Sequence, residues 1–127
     1  MKTLKENYLE NALKYAKAFK AIFEDEINYG LRYRWFSRME KTAVKKCEEI
    51  YLNLSALGQL FELEEFMFHE NPYVRYLAAN HCITVNQKLA EKTFEELIES
   101  KGHKIQMHAL TSLKDWRNIP WTEDRYK

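Results

Sequence analysis

The chain has 127 residues, 46% hydrophobic and 31% charged, which suits one continuous core rather than two. Twenty Lys and Arg stand against nineteen Asp and Glu, a balance that argues against a protein gripping nucleic acid through its phosphates. Three Gly and two Pro leave little punctuation for a many-stranded β protein and favour long helices joined by short turns.

The opening residues are broken by charge and hold no apolar core ahead of a cleavage site, and no apolar run reaches bilayer length. The expectation is a cytoplasmic protein, neither exported nor membrane-bound, with Cys47 and Cys82 reduced and buried as small hydrophobes.

Thr3-Leu4-Lys5-Glu6 has the form of a capping box, and an apolar run at three- and four-residue steps follows it. Tyr8, Ala12, Leu13, Tyr15, Phe19, Ile22 and Ile27 belong to that run. The spacing predicts a helix from about Thr3 to about Asn28, broken at Gly30. A second helix carries Phe36, Ala43, Ile50 and Leu57 seven apart, with Met39, Cys47 and Leu54 interleaved, a short seam suited to an antiparallel partner. It starts either near Leu31 or at a second capping box, Ser37-Arg38-Met39-Glu40.

Beyond Leu57 the chain repeats with a period of 31 residues. Leu63-Glu64-Glu65-Phe66-Met67 lies over Phe94-Glu95-Glu96-Leu97-Ile98, Val74 over Ile105, Ala78 over Ala109 and Cys82 over Leu113. Asn71-Pro72, an N-cap followed by proline at the first helical position, lies over Gly102-His103. Such a period marks helical hairpins that bury their apolar faces on one another. The expected architecture is all-α with about six helices in one domain: an N-terminal antiparallel hairpin over residues 1–57, two stacked HEAT-like hairpins over 58–118, and a tail over 119–127.

The segment from Phe68 to Ala79, with His69, Asn71-Pro72, Val74-Arg75 and Ala78-Ala79 at their places, resembles the turn and helix of HEAT-type repeats. Together with the helix carrying Tyr33-Arg34-Trp35-Phe36-Ser37-Arg38-Met39, it is similar to a small bacterial family of uncharacterised HEAT-like domains. Small stand-alone proteins of this type resemble immunity proteins of bacterial toxin systems. What the resemblance implies is a non-catalytic protein that binds and neutralises one toxin domain, with a nuclease as the expected class. It supplies no catalytic residues. The alternatives are a nucleic-acid-binding helical repeat and a scaffold subunit of a larger assembly.

The four histidines, His69, His81, His103 and His108, show no metal-ligand spacing, and no phosphate loop or nucleophile motif occurs. No cofactor, metal or catalytic residue is therefore expected. Two candidate contact surfaces remain. The segment 61–100 holds three basic and eight acidic residues, and at 100° per residue Glu62 and Glu65 point away from the Leu60, Leu63 and Met67 stripe. With Glu96, one period beyond Glu65, they are expected to form an acidic ridge that steers a basic partner. Tyr73, Tyr76, Asn80 and Met107 lie off the inner stripe of the repeat helices, and with Trp121 of the tail they are the expected anchors. Arg32, Arg34, Arg38, Lys41, Lys45 and Lys46, with Tyr33 and Trp35 between them, form a basic stretch. Glu40, Glu48 and Glu49 interrupt it, so the expectation is an ordinary charged helix face and no nucleic-acid partner.

Overall fold

A computed structural model describes residues 2–24, 30–100 and 105–118; the side chains of 23, 24, 30–32 and 118 are outside the description. The described residues form five α-helices, one 3-10 helix and a short π-helical turn, and they contain no strand. The helices are α1 (Leu4–Phe19), α2 (Gly30–Ala56), the 3-10 helix Leu60–Phe68, α3 (Pro72–Cys82), α4 (Gln87–Glu99) and α5 (Ile105–Asn118). None of them is long and apolar enough to cross a membrane.

Thr3 caps α1 as its sequence implies: its Oγ1 accepts the Glu6 N–H at 3.1 Å. The helix is shorter than expected. At Lys20 the backbone N–H is shared between the carbonyls of Ala16 and Lys17, and Lys20–Glu24 winds on as a π-helical turn. That wider turn brings Ala18, Ala21 and Ile22 together against Phe36 in a small satellite core. Helix α2 begins at Gly30, beside the Leu31 start that the sequence allows, and Ser37 lies inside that helix rather than capping it. Ile27 falls outside the described residues. Leu13 also departs from its expected place, being 41% exposed.

Helices α1 and α2 pack antiparallel. Cys47 near the C-terminal end of α2 donates its S–H to the Tyr8 carbonyl near the start of α1, and Phe36 near the other end meets Ala18 and Ile22. Phe36, Ala43, Cys47, Ile50 and Leu54 of the seam on α2 are buried and Met39 is half-buried, whereas Leu57 has left the helix and is exposed. A Schellman turn ends α2: Gln59 N–H bonds the Leu54 carbonyl at 2.8 Å and Gly58 N–H the Ser55 carbonyl at 3.1 Å. Gly58 takes φ +68°, the left-handed conformation that this motif requires.

The two repeat hairpins pair the 3-10 helix with α3, and α4 with α5. Five pairs of residues one period apart are buried together in the core: Leu63 and Phe94, Phe66 and Leu97, Val74 and Ile105, Ala78 and Ala109, and Cys82 and Leu113. Met67 is buried where Ile98 is only partly so, and Tyr76 is half-buried where Met107 is exposed. The same clasp closes both hairpins. Arg75 Nε donates to the Met67 carbonyl at 2.9 Å, and Gln106 Nε2, 31 residues on, donates to the Ile98 carbonyl at 2.7 Å. Asn71 caps α3 with Oδ1 accepting the Tyr73 N–H at 2.9 Å, ahead of Pro72 at the first helical position. Its second-repeat counterparts Gly102 and His103 lie outside the described residues, as does the tail 119–127. One continuous core runs through all six helices, from Tyr8 of α1 to Leu113 of α5.

Candidate functional site: two grooves on opposite sides of α2

The helix α2 sorts its charges by face. Glu40, Val44 and Glu48 stand four residues apart and face α3, whereas Arg38, Thr42 and Lys46, also four apart, face α1. The two series are offset by two residues, or about 200° around the helix, so they lie on opposite sides. Each side borders a groove.

The first groove lies between α2 and α3, with Tyr15 and Phe19 of α1 as its floor, and has a volume of about 400 Å³. Glu40 and Glu48 form one wall; Tyr76, Asn80 and His81 of α3 form the other, with His108 of α5 at one end. Partial burial raises the Glu40 carboxyl above its ordinary value, against a smaller opposing pull from Lys41. Burial lowers His81 to about 4 and lowers His108 as well, so both imidazoles are neutral near pH 7. The neutral His81 is hydrogen-bonded through Nδ1 to the Tyr8 hydroxyl at 2.7 Å and stacks on Tyr51, the ring centroids 4.8 Å apart. A smaller cleft of about 210 Å³ continues from Asn80 over Phe94 to Ser112, Asp115 and Trp116.

The second groove lies between α1 and α2 and has a volume of about 470 Å³. Lys14 of α1 and Arg38 and Lys46 of α2 line it, with Met39 and Ala43 beneath and Trp35 at the edge. Trp35 is 57% exposed and is held edge-on to the buried Phe36, their ring centroids 4.8 Å apart.

The residues expected to touch a partner divide among several places. Tyr76 and Asn80 come together in the first groove. The Tyr76 hydroxyl meets Ser112 Oγ at 2.9 Å, and Asn80 Nδ2 donates to the Tyr76 carbonyl at 3.0 Å, so both side chains are held in place. Tyr73 is not an exposed anchor: it is 4% exposed, because Phe19 of α1 packs on its ring at a centroid distance of 5.1 Å. Met107 is 67% exposed on α5, and Trp121 lies outside the described residues.

The glutamates expected to make a bare acidic ridge are largely paired. Glu65 bonds Lys5 of α1, and Glu96 bonds Arg75 of α3. Glu62 is half-buried on the 3-10 helix. At three residues per turn that helix aligns Leu60, Leu63 and Phe66 inward and leaves Phe61 and Phe68 exposed. The Leu60, Leu63 and Met67 stripe is buried and Glu65 is exposed, as a projection at 100° per residue has them; it is ion pairing that removes the bare ridge.

Other sequence expectations have local outcomes. His69 Nδ1 accepts the Asn71 N–H at 3.0 Å, an ordinary turn contact. Cys47 and Cys82 are free and buried, and burial pushes both thiols up to about 12. Among the described residues, no three His, Cys, Asp or Glu side chains gather in a group able to hold a metal ion.

Compared with protein-family models, curated proteins and solved structures, the chain matches none.

Proposed function

We propose that this protein is a non-catalytic binding module of the immunity type, which seats a basic segment of a toxin domain, a nuclease by the sequence resemblance, and blocks it. The observation that carries this reading is the groove between α2 and α3. Its Glu40 and Glu48 face a wall of Tyr76, Asn80 and His81 across an aromatic floor. A half-buried carboxylate with a raised pKa gains most from a cation brought against it, since pairing restores what burial removed. Rigid aromatic walls add contact area at little entropic cost, so the groove combines charge with anchoring. The glutamates of the repeat face, already paired with Lys5 and Arg75, have less attraction to offer.

The test is co-expression with whatever toxin domain a neighbouring gene encodes, read by growth and by pull-down. Protection by the wild type and its loss in Glu40→Lys/Glu48→Lys are expected, with slower association and a flatter salt dependence in the double variant. If cells die as fast with the protein as without it, the immunity reading is wrong.

A further inference from the structure

The basic groove lies on the opposite side of α2 from the acidic one. Read along the chain, Glu40, Glu48 and Glu49 interrupt the basic run of α2. In three dimensions Glu40 and Glu48 border the other groove, so the side facing α1 carries Arg38 and Lys46 with Lys14 opposite. These three cations enter no ion pair among the described residues. Lys14 also lowers the pKa of Glu10, whose main partner is Lys2.

Arg38 and Lys46 are eight residues apart, about 12 Å along the helix axis. That is a span for more than one anionic group rather than a single ion. One turn before Arg38, Trp35 presents an exposed ring, which Phe36 fixes from the side. A row of unpaired cations ending in a rigid aromatic face matches the chemistry of a single nucleic-acid strand, with phosphates along the row and a base on the ring. A duplex keeps its bases stacked inside and cannot use the ring. A bare polyanion has nothing to stack.

We propose that the groove between α1 and α2 binds a short single-stranded nucleic acid, its phosphates on Lys14, Arg38 and Lys46 and one base on Trp35.

The probe is a fluorescein-labelled single-stranded oligoadenylate, titrated with the full chain at several salt concentrations. Binding should weaken as salt rises, and Arg38→Gln/Lys46→Gln should lower the slope of log K against log salt by about 0.7 for each phosphate that is no longer neutralised. Trp35→Ala should weaken binding by about tenfold or more, and Lys92→Gln on α4 should leave it unchanged. All the altered side chains are at least partly exposed, and a retained helical circular dichroism signal confirms folding. Three results would each overturn the proposal: no binding at low salt, equal affinity for the matching duplex, or inorganic polyphosphate bound as tightly as the strand with Trp35→Ala having no effect. Toxin protection is measured separately with the same variants, so the failure of either idea leaves the other standing.

Discussion

His81 sits between two tyrosines from different helices, hydrogen-bonded to Tyr8 of α1 and stacked on Tyr51 of α2. Its position makes stability depend on pH. Burial lowers His81 to about 4 in the folded protein, against about 6.5 in the unfolded chain, so the unfolded chain takes up the proton first. The stabilisation is complete above about pH 6.5 and is lost as pH falls towards 4, and the lowered His108 adds in the same direction. Urea unfolding at pH 7 and pH 4.5 should show a loss from His81 of at most about 2 kcal/mol. In His81→Gln, whose amide can still hydrogen-bond to Tyr8 but does not titrate, the fall between the two pH values should be smaller by about that amount. An equal fall in both proteins would remove His81 as the cause.

At the scale of the element, ends are more legible than windings. Thr3 and Asn71 cap the helices that their sequence contexts announce, because a side-chain oxygen at the start of a periodic run has one obvious use. Asn71→Ala should cost about 1 kcal/mol in chemical denaturation. Gly58 carries a signal of the same kind at the other end of a helix, a glycine just past the last apolar position of a long run. An added Cβ there meets no atom within 4 Å, so the cost of Gly58→Ala is that of the backbone conformation alone, about 1 kcal/mol. Gly58→Asn should recover part of it, since asparagine tolerates the left-handed region; equal melting temperatures for the two variants would refute that account.

The windings are not legible. Over nine residues, Leu60, Leu63, Phe66 and Met67 fit a period of three as well as one of 3.6. The π-helical turn at Lys20 packs against α2 and has no signature in the local sequence. The two faces of α2 are within reach of a helical projection, but taking the charges as a linear run conceals them. The burial of Tyr73 depends on the path of Phe19 across α3, and nothing near residue 73 in the sequence reports that.

On the scale of the whole molecule, the repeat makes the fold legible. Five pairs of inner positions 31 apart share burial, and the Arg75 and Gln106 clasps repeat with them, because one local solution to packing a hairpin serves twice. Leu77 is on the inner stripe and 6% exposed, and Glu65 is exposed beside Lys5. Leu77→Asp should therefore cost several kcal/mol, much of the stability of a domain this size. Glu65→Lys should shift it by less than about 1 kcal/mol. Thermal melts that coincide for the two would show that these faces are wrongly assigned.

Helix α1 does not behave as a detachable end piece. It packs on α2, the 3-10 helix and α3 together, and Tyr8 reaches His81 across 73 positions of chain. Units of a simple array touch only their neighbours and can peel away from either end. Here the N-terminal end is tied across the stack, while α4 and α5 lean mainly on each other and on α3. Hydrogen exchange should accordingly divide the molecule. Amides of α4 and α5 should exchange through a partial opening that leaves the rest folded. Those in the middle of α1 and α3 should exchange only when the whole chain unfolds, with one shared free energy and one shared dependence on denaturant.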